Sequence, residues 1–268
     1  MDIIWWLAYV ALGGFVGLMA GLLGIGGGGI MVPILTSLFV LQGVPHEHLA
    51  HLALGTAMAS IIPASTASLL SHHRHRAVRW DIVRFITPGI LVGTFLATFI
   101  AALIPTRSLA IFFACFMVLM SLQMLANIKP KPNRGLPSPM GVSGVGLGIG
   151  GISALVAIGG GSLTVPFLTW CNVKLPRAIG TSAAVGLPIA VAGALGYIIN
   201  GWSTAGLPSA ALGYVYLPAF LLMAPFSILT APIGAKLAHK LPVALLKRVF
   251  AFMLMGLALQ MVYAVFTA

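Results

Sequence analysis

Eight apolar runs of 18 to 23 residues, each free of Lys, Arg, Asp and Glu, dictate what this chain can fold into. They fall at 3–23, 52–71, 85–104, 108–126, 139–158, 178–199, 213–235 and 249–266. Each is long enough as a helix to cross about 30 Å of hydrocarbon at about 1.5 Å per residue. Only 6% of the 268 residues are charged, where a water-soluble domain carries about 25%. Together these features exclude a soluble enzyme and a disordered chain, and predict an all-α integral membrane protein embedded in a lipid bilayer. The formal charge of +11 does not point to nucleic acid, because the basic residues sit in short clusters between the apolar runs, as cytoplasmic loops do. Cys115 and Cys171 each lie at or in an apolar segment, so no disulfide framework is expected. Met1-Asp2 lacks the basic start of a cleaved signal peptide, and 3–23 reads as the first membrane segment.

Two shorter pieces, 30–41 and 163–172, follow glycine runs and can cross only half a bilayer as helix. They expose an internal duplication. The stretch from Gly24 to Leu35 aligns with that from Ala157 to Leu168 at an offset of 133 residues, pairing Gly26-Gly27-Gly28-Gly29 with Gly159-Gly160-Gly161-Ser162 and Pro33 with Pro166. Leu54-Gly55-Thr56-Ala57 matches Ile179-Gly180-Thr181-Ser182, Pro63 matches Pro188, and Leu122-Gln123-Met124 matches Leu259-Gln260-Met261. The chain therefore divides into a first repeat (1–126), a basic linker (127–138) and a second repeat (139–268).

Loop charge distinguishes the halves. Arg74, Arg76, Arg79 and Arg84 crowd one loop of the first half, while its counterpart at 200–212 has no Lys or Arg. Conversely, 172–177 carries Lys174 and Arg177 where 42–51 has none, and 236–248 carries Lys236, Lys240, Lys247 and Arg248 against Arg107 alone. Equivalent loops on opposite sides require an odd number of crossings per repeat. The expectation is two inverted repeats, each a glycine-broken hairpin plus three full helices, giving eight long and two half-length helices. Both termini are then outside and the linker, with Lys129, Lys131 and Arg134, is cytoplasmic.

A glycine run inside a membrane segment frees backbone N–H and C=O groups that hydrocarbon cannot satisfy, so it must be buried in protein or face a watery cavity. The helix that restarts after it offers unpaired N–H donors and a positive dipole end. Ser162 is placed to cap the second restart, and Pro33 and Pro166 are expected in the opening turns. Two such starts aimed at one point form an anion site made of backbone. The candidate substrate-binding set is Gly26–Gly29, Gly159–Gly161 and Ser162, with hydroxyls from Thr56, Thr181 and Ser182, and Arg177 and His51 at the mouths. Close helix packing for the glycines, and back-bonding to the helix for the hydroxyls, are the structural alternatives. Arg177 equally serves as a membrane-surface anchor and His51 as an ordinary loop histidine.

No carboxylate lies inside a membrane segment, since Asp2, Glu47 and Asp81 all fall at segment ends or in loops. Coupling to an ion would then need a histidine, backbone carbonyls or the substrate itself. No metalloprotease or hydrolase constellation is present, so an enzyme is not expected. The run from His72 to Arg76 is too cationic to favour a metal, and neither a metal nor another cofactor is expected.

The doubled Ile-Gly-Gly-Gly-x-x-x-x-Pro block (25–33 and 158–166), each followed by a Gly-Thr helix, resembles the sulfite exporter TauE/SafE family. The resemblance covers essentially the whole chain, including the basic loop ending Val78-Arg79-Trp80-Asp81. It implies a multi-pass permease of the bacterial inner membrane for small sulfur anions such as sulfite, sulfoacetate and other organosulfonates. Channel-like or carrier transport of small carboxylates and a non-transporting membrane scaffold are the rival readings. The apolar outer faces leave room for a homodimer.

Overall fold

The apolar runs become helices in the computed structural model, which describes residues 3–23, 27–126, 135–238 and 243–267. In chain order these are α1 (Ile3–Leu23), α2 (Gly28–Leu41), α3 (Leu49–Arg74), α4 (Trp80–Leu103), α5 (Thr106–Leu125), α6 (Pro139–Val156), α7 (Gly161–Trp170), α8 (Leu175–Gly201), α9 (Leu217–Ala238) and α10 (Val243–Thr267). Eight are long and apolar enough to cross a membrane; α2 and α7, at 14 and 10 residues, are the short helices after the glycine runs. One boundary differs from expectation. The run at 213–235 opens with an antiparallel hairpin, β1 (Ala211–Leu212) and β2 (Val215–Tyr216), before α9 begins. Gly213, at φ 55°, makes that turn tight.

Small residues set the helix pairing. Gly13 and Gly17 of α1 lie against the backbone of Met223 and Ser227 on α9, and Gly89 and Gly93 of α4 lie against that of Ser143 and Leu147 on α6. Without a Cβ the helices approach to backbone contact, which is how helices associate where the solvent is as apolar as the side chains. Both of these pairs run parallel, and each joins one half of the chain to the other. Helices α3 and α8, by contrast, run antiparallel through the centre: Met58 meets Gly193 and Ser65 meets Gly186. Helices α5 and α10 are also in contact, with Arg107 over the ring of Phe266.

These contacts fix which loops share an end. The Arg79 N–H donates to Thr181 Oγ1, so the starts of α4 and α8 lie side by side. Arg74, Arg76, Arg79, Arg84, Lys174 and Arg177 gather there, with the start of α6 and that of α10. The start of α1, the end of α10, the 42–48 segment and Arg107 lie at the opposite end. The buried core runs between α2, α3, α5, α8 and α9 and includes Leu35, Phe39, Leu52, Met58, Phe113, Tyr197 and Met223. Long apolar side chains such as Leu103, Leu119, Leu229 and Phe252 face outward. An outer surface of this kind is stable against lipid and not against water.

Candidate functional site

Helix α6 ends where Ala157 turns left-handed at φ 48° and the Ile158 N–H donates back to the Ser153 carbonyl at 3.2 Å. That bond satisfies a terminal carbonyl of α6, and a non-glycine residue in this conformation costs about 1 kcal/mol. Gly159 and Gly160 then reverse the chain, and α7 starts at Gly161. The Thr164 N–H donates to Gly160 O at 2.8 Å, which leaves Ser162 and Leu163 in the turn whose N–H groups have no carbonyl ahead of them. At the first break, Gly27 caps α2 in the left-handed region (φ 73°), and its carbonyl accepts from Ile30 and Met31, both at 3.1 Å. The two breaks meet, because Gly28 packs directly on the carbonyl of Ala157.

A cavity of about 480 Å³ opens beside the second break. Gly159 and Gly161 line it with Ser182 of α8, with Ser65, Ser68, Ser71 and His72 of α3, and with apolar residues of α1 and α9. Because Ser71 and His72 belong to the last turn of α3, the cavity opens toward the basic end. No Lys, Arg, Asp or Glu lines it, so among the described residues its polarity comes from hydroxyls, one imidazole and backbone. Such a wall can orient an anion without the fixed counter-charge that would hold it permanently.

The expected site residues divide into groups. Gly159, Gly161 and Ser182 share the cavity, and Gly160 lies next to it, with its Cα face toward the Ser182 carbonyl. Gly27 and Gly28 are buried and Gly29 half-buried at the first break; Gly26 and the linker at 127–134 lie outside the described residues. Ser162 does not cap α7: the cap is Gly160, and Ser162 sits half-buried within the first turn, one residue past the helix start. Pro33 and Pro166 fall in the second turn rather than the first, six residues into their helices, where each withholds an N–H from the carbonyl four residues back.

Thr181 and Ser182 back-bond to their own helix, as the structural alternative held, donating to Arg177 O at 2.6 Å and to Ile179 O at 2.9 Å, but Thr56 and Thr181 also have a role that neither reading anticipated. Thr56 Oγ1 accepts from the Tyr216 N–H at 2.9 Å, and Thr181 Oγ1 accepts from the Arg79 N–H at 3.0 Å while donating to Arg177 O. Tyr216 and Arg79 immediately precede α9 and α4. Each Gly-Thr motif therefore caps the start of a helix in the other half. Gly55 and Gly180 admit the same segments, lying against the carbonyls of Tyr214 and Ala77. Arg177 is exposed in the first turn of α8. His51 is 3% exposed in the first turn of α3, at the end away from this cavity, where it lines a second one. Ser65, Ser68 and Ser71 were missed; their spacing of three on one helix face after Pro63 was the available signal.

Among the described residues, ten α-helices, eight of them membrane-length and two short ones restarting after glycine breaks, one break beside a cavity, define a polytopic membrane protein built like a solute carrier. The comparisons agree: the chain belongs to the sulfite exporter TauE/SafE family, which it matches over residues 9–261. It is 35% identical over 257 residues to a probable membrane transporter protein of Haemophilus influenzae, covering 95% of this chain and 97% of that protein. A probable membrane transporter protein of Methanocaldococcus jannaschii is 28% identical, with 87% and 86% of the two chains covered. One from Bacillus subtilis is 25% identical, with 86% and 89% covered. No solved structure matches the chain. The protein is a multi-pass membrane transporter.

Proposed function

We propose that this transporter moves small sulfur-containing anions, sulfite or organosulfonates, by alternating access around the two glycine breaks. The observation that carries the proposal is the cavity of about 480 Å³ that ends on Gly159, Gly161 and the Ser182 hydroxyl, at the N-terminal end of α7. First-turn N–H groups and the helix dipole favour an anionic head group there. The apolar wall from α1 and α9 suits a short organic tail.

Two inverted repeats, 1–126 and 139–268, provide the moving parts. Support comes from the antiparallel course of α3 against α8 and from the exchange of partners between halves, α1 with α9 and α6 with α4. The basic end, with the 127–138 linker, faces the cytoplasm of a bacterial inner membrane and both termini face outward. The cavity is then inward-open. Arg177, exposed at that mouth, attracts anions without holding them.

The test is thermal stability of the detergent-purified protein with sulfite, sulfoacetate, taurine, thiosulfate, sulfate, acetate and pyruvate. A bound anion at about 100 times its Kd should stabilise by about 2.7 kcal/mol. A melting shift confined to sulfite or the sulfonates is expected. Shifts with acetate and pyruvate alone would move the assignment to carboxylates, and none with any anion would remove the anion site.

A further inference from the structure

At the end of the bundle away from the anion cavity, a second cavity of about 440 Å³ is lined by His46, Glu47, His51, Thr106, Arg107 and Tyr214, among others. His51 and Thr106 form its buried floor, at 3% and 5% exposure. The His51 Nε2 stands 2.9 Å from the Ala101 carbonyl, and Nδ1 stands 3.3 Å from Thr106 Oγ1, which is itself 2.6 Å from the Glu47 carbonyl. These three contacts need three hydrogens. A neutral imidazole brings one and the hydroxyl brings one, so whichever tautomer forms, one pair faces lone pair to lone pair. An imidazolium completes the chain: Nε2–H to Ala101 O, Nδ1–H to Thr106 Oγ1, and Oγ1–H to Glu47 O.

We propose that His51 is the proton-binding site of this transporter, taking a proton at Nδ1 from water in the outer cavity and returning it there. The proposal rests on the transport reading for its consequence, though not for its chemistry. Its other neighbours divide in sign. The Tyr214 ring lies 5.2 Å away at 30°, within reach of a cation–π contact, and Glu47 brings a carboxylate to the lining of the same cavity. Arg107 and the imidazoles of His46 and His48 oppose a further charge; His48 is itself held by Ala205 O at 3.0 Å and lies 3.3 Å from Glu47. With no carboxylate inside a membrane segment, His51, the more deeply buried of the two buried imidazoles in the cavity, His48 and His51, is the group placed to couple. Protonation ties the start of α3 to the α4–α5 turn. The same helix carries Ser65 into the anion cavity, about 21 Å further along at 1.5 Å per residue, so a shift of α3 at one end reaches the other.

Two measurements test this. Nitrogen NMR of histidine-labelled protein reads His51 directly: its ring should pass from one N–H to two as pH falls from 8 to 5, and the signal should vanish in His51→Gln. A ring that stays neutral throughout would overturn the proposal. Anion flux into proteoliposomes, with pH varied on the outer side, reads the coupling. Wild-type flux should change about fivefold or more over that range, as a single controlling imidazole allows. His51→Gln should flatten the profile while keeping the anion-induced melting shift. A wild-type pH profile in His51→Gln would also overturn the proposal. If the wild type moves no sulfur anion at all, the transport reading fails instead, and the NMR titration still decides whether the proton site exists.

Discussion

The two glycine breaks share a sequence pattern and have opposite surroundings. At the second, Gly159 and Gly161 face a hydroxyl-lined cavity open to the basic end. At the first, Gly28 is sealed against the Ala157 carbonyl with Ile61 beside it, and Gly29 sits against Met117 and Leu254. The backbone donors are the same; the neighbours decide whether a ligand can reach them. The sealed side also holds buried hydroxyls without partners, Thr94 on α4 and Ser153 on α6. Under exchange of the halves they correspond to Ala231 and Ala20, which line the open cavity. Unpaired buried hydroxyls are costly, and a state in which the first break opens and admits water would satisfy them. Under the alternating-access proposal, this asymmetry is the one expected of a single state.

Substitutions can break this comparison or sharpen it. The largest difference is expected between Gly28→Leu and Gly161→Leu. The first drives a side chain into backbone and should cost about 3 kcal/mol or more, lowering the melting temperature together with flux. The second fills an open cavity and should abolish flux and the anion-induced shift while moving the melting temperature by only a few degrees. Equal destabilisation of both would mean that the second break is packed as tightly as the first. Ser182→Ala comes next: anion affinity measured by calorimetry should fall about tenfold, about 1.4 kcal/mol. Thr181→Val should do the reverse, costing about 1 kcal/mol of stability by uncapping α4 and leaving anion affinity unchanged. Arg177→Ala is the smallest. Affinity should change by less than about twofold, because an exposed charge contributes little to a distant site.

Much of the fold was legible because bilayer thickness converts directly into run length, and because glycine runs followed by pieces too short to cross the bilayer point to helix breaks. The grouping of basic loops at one end also followed from their alternation between the halves. The hairpin at 211–216 was hidden, because an apolar stretch containing Gly213 reads the same whether helix or turn. The roles of Thr56 and Thr181 could not be read at all. Their partners lie 160 and 102 residues away, and a hydroxyl inside a repeated helix motif gives no sign of which distant N–H it will meet. Of the cavity at the second break, the α7 start and Ser182 came from the repeat, whereas Ser65, Ser68 and Ser71 have no counterpart in it: the aligned positions are Ala190, Gly193 and Gly196. That asymmetry in the hydroxyls is where the two halves depart from each other chemically.

The most direct measurement is the labelling rate of Ser182→Cys, with Cys115 and Cys171 changed to serine, by a membrane-impermeant thiol reagent added from the basic end. The cysteine should react, and an organosulfonate at saturating concentration should slow it about tenfold or more, as occupancy of a common cavity requires. A cysteine that never reacts from that end, or one that reacts at the same rate with and without every sulfur anion, would contradict an anion site at the second glycine break.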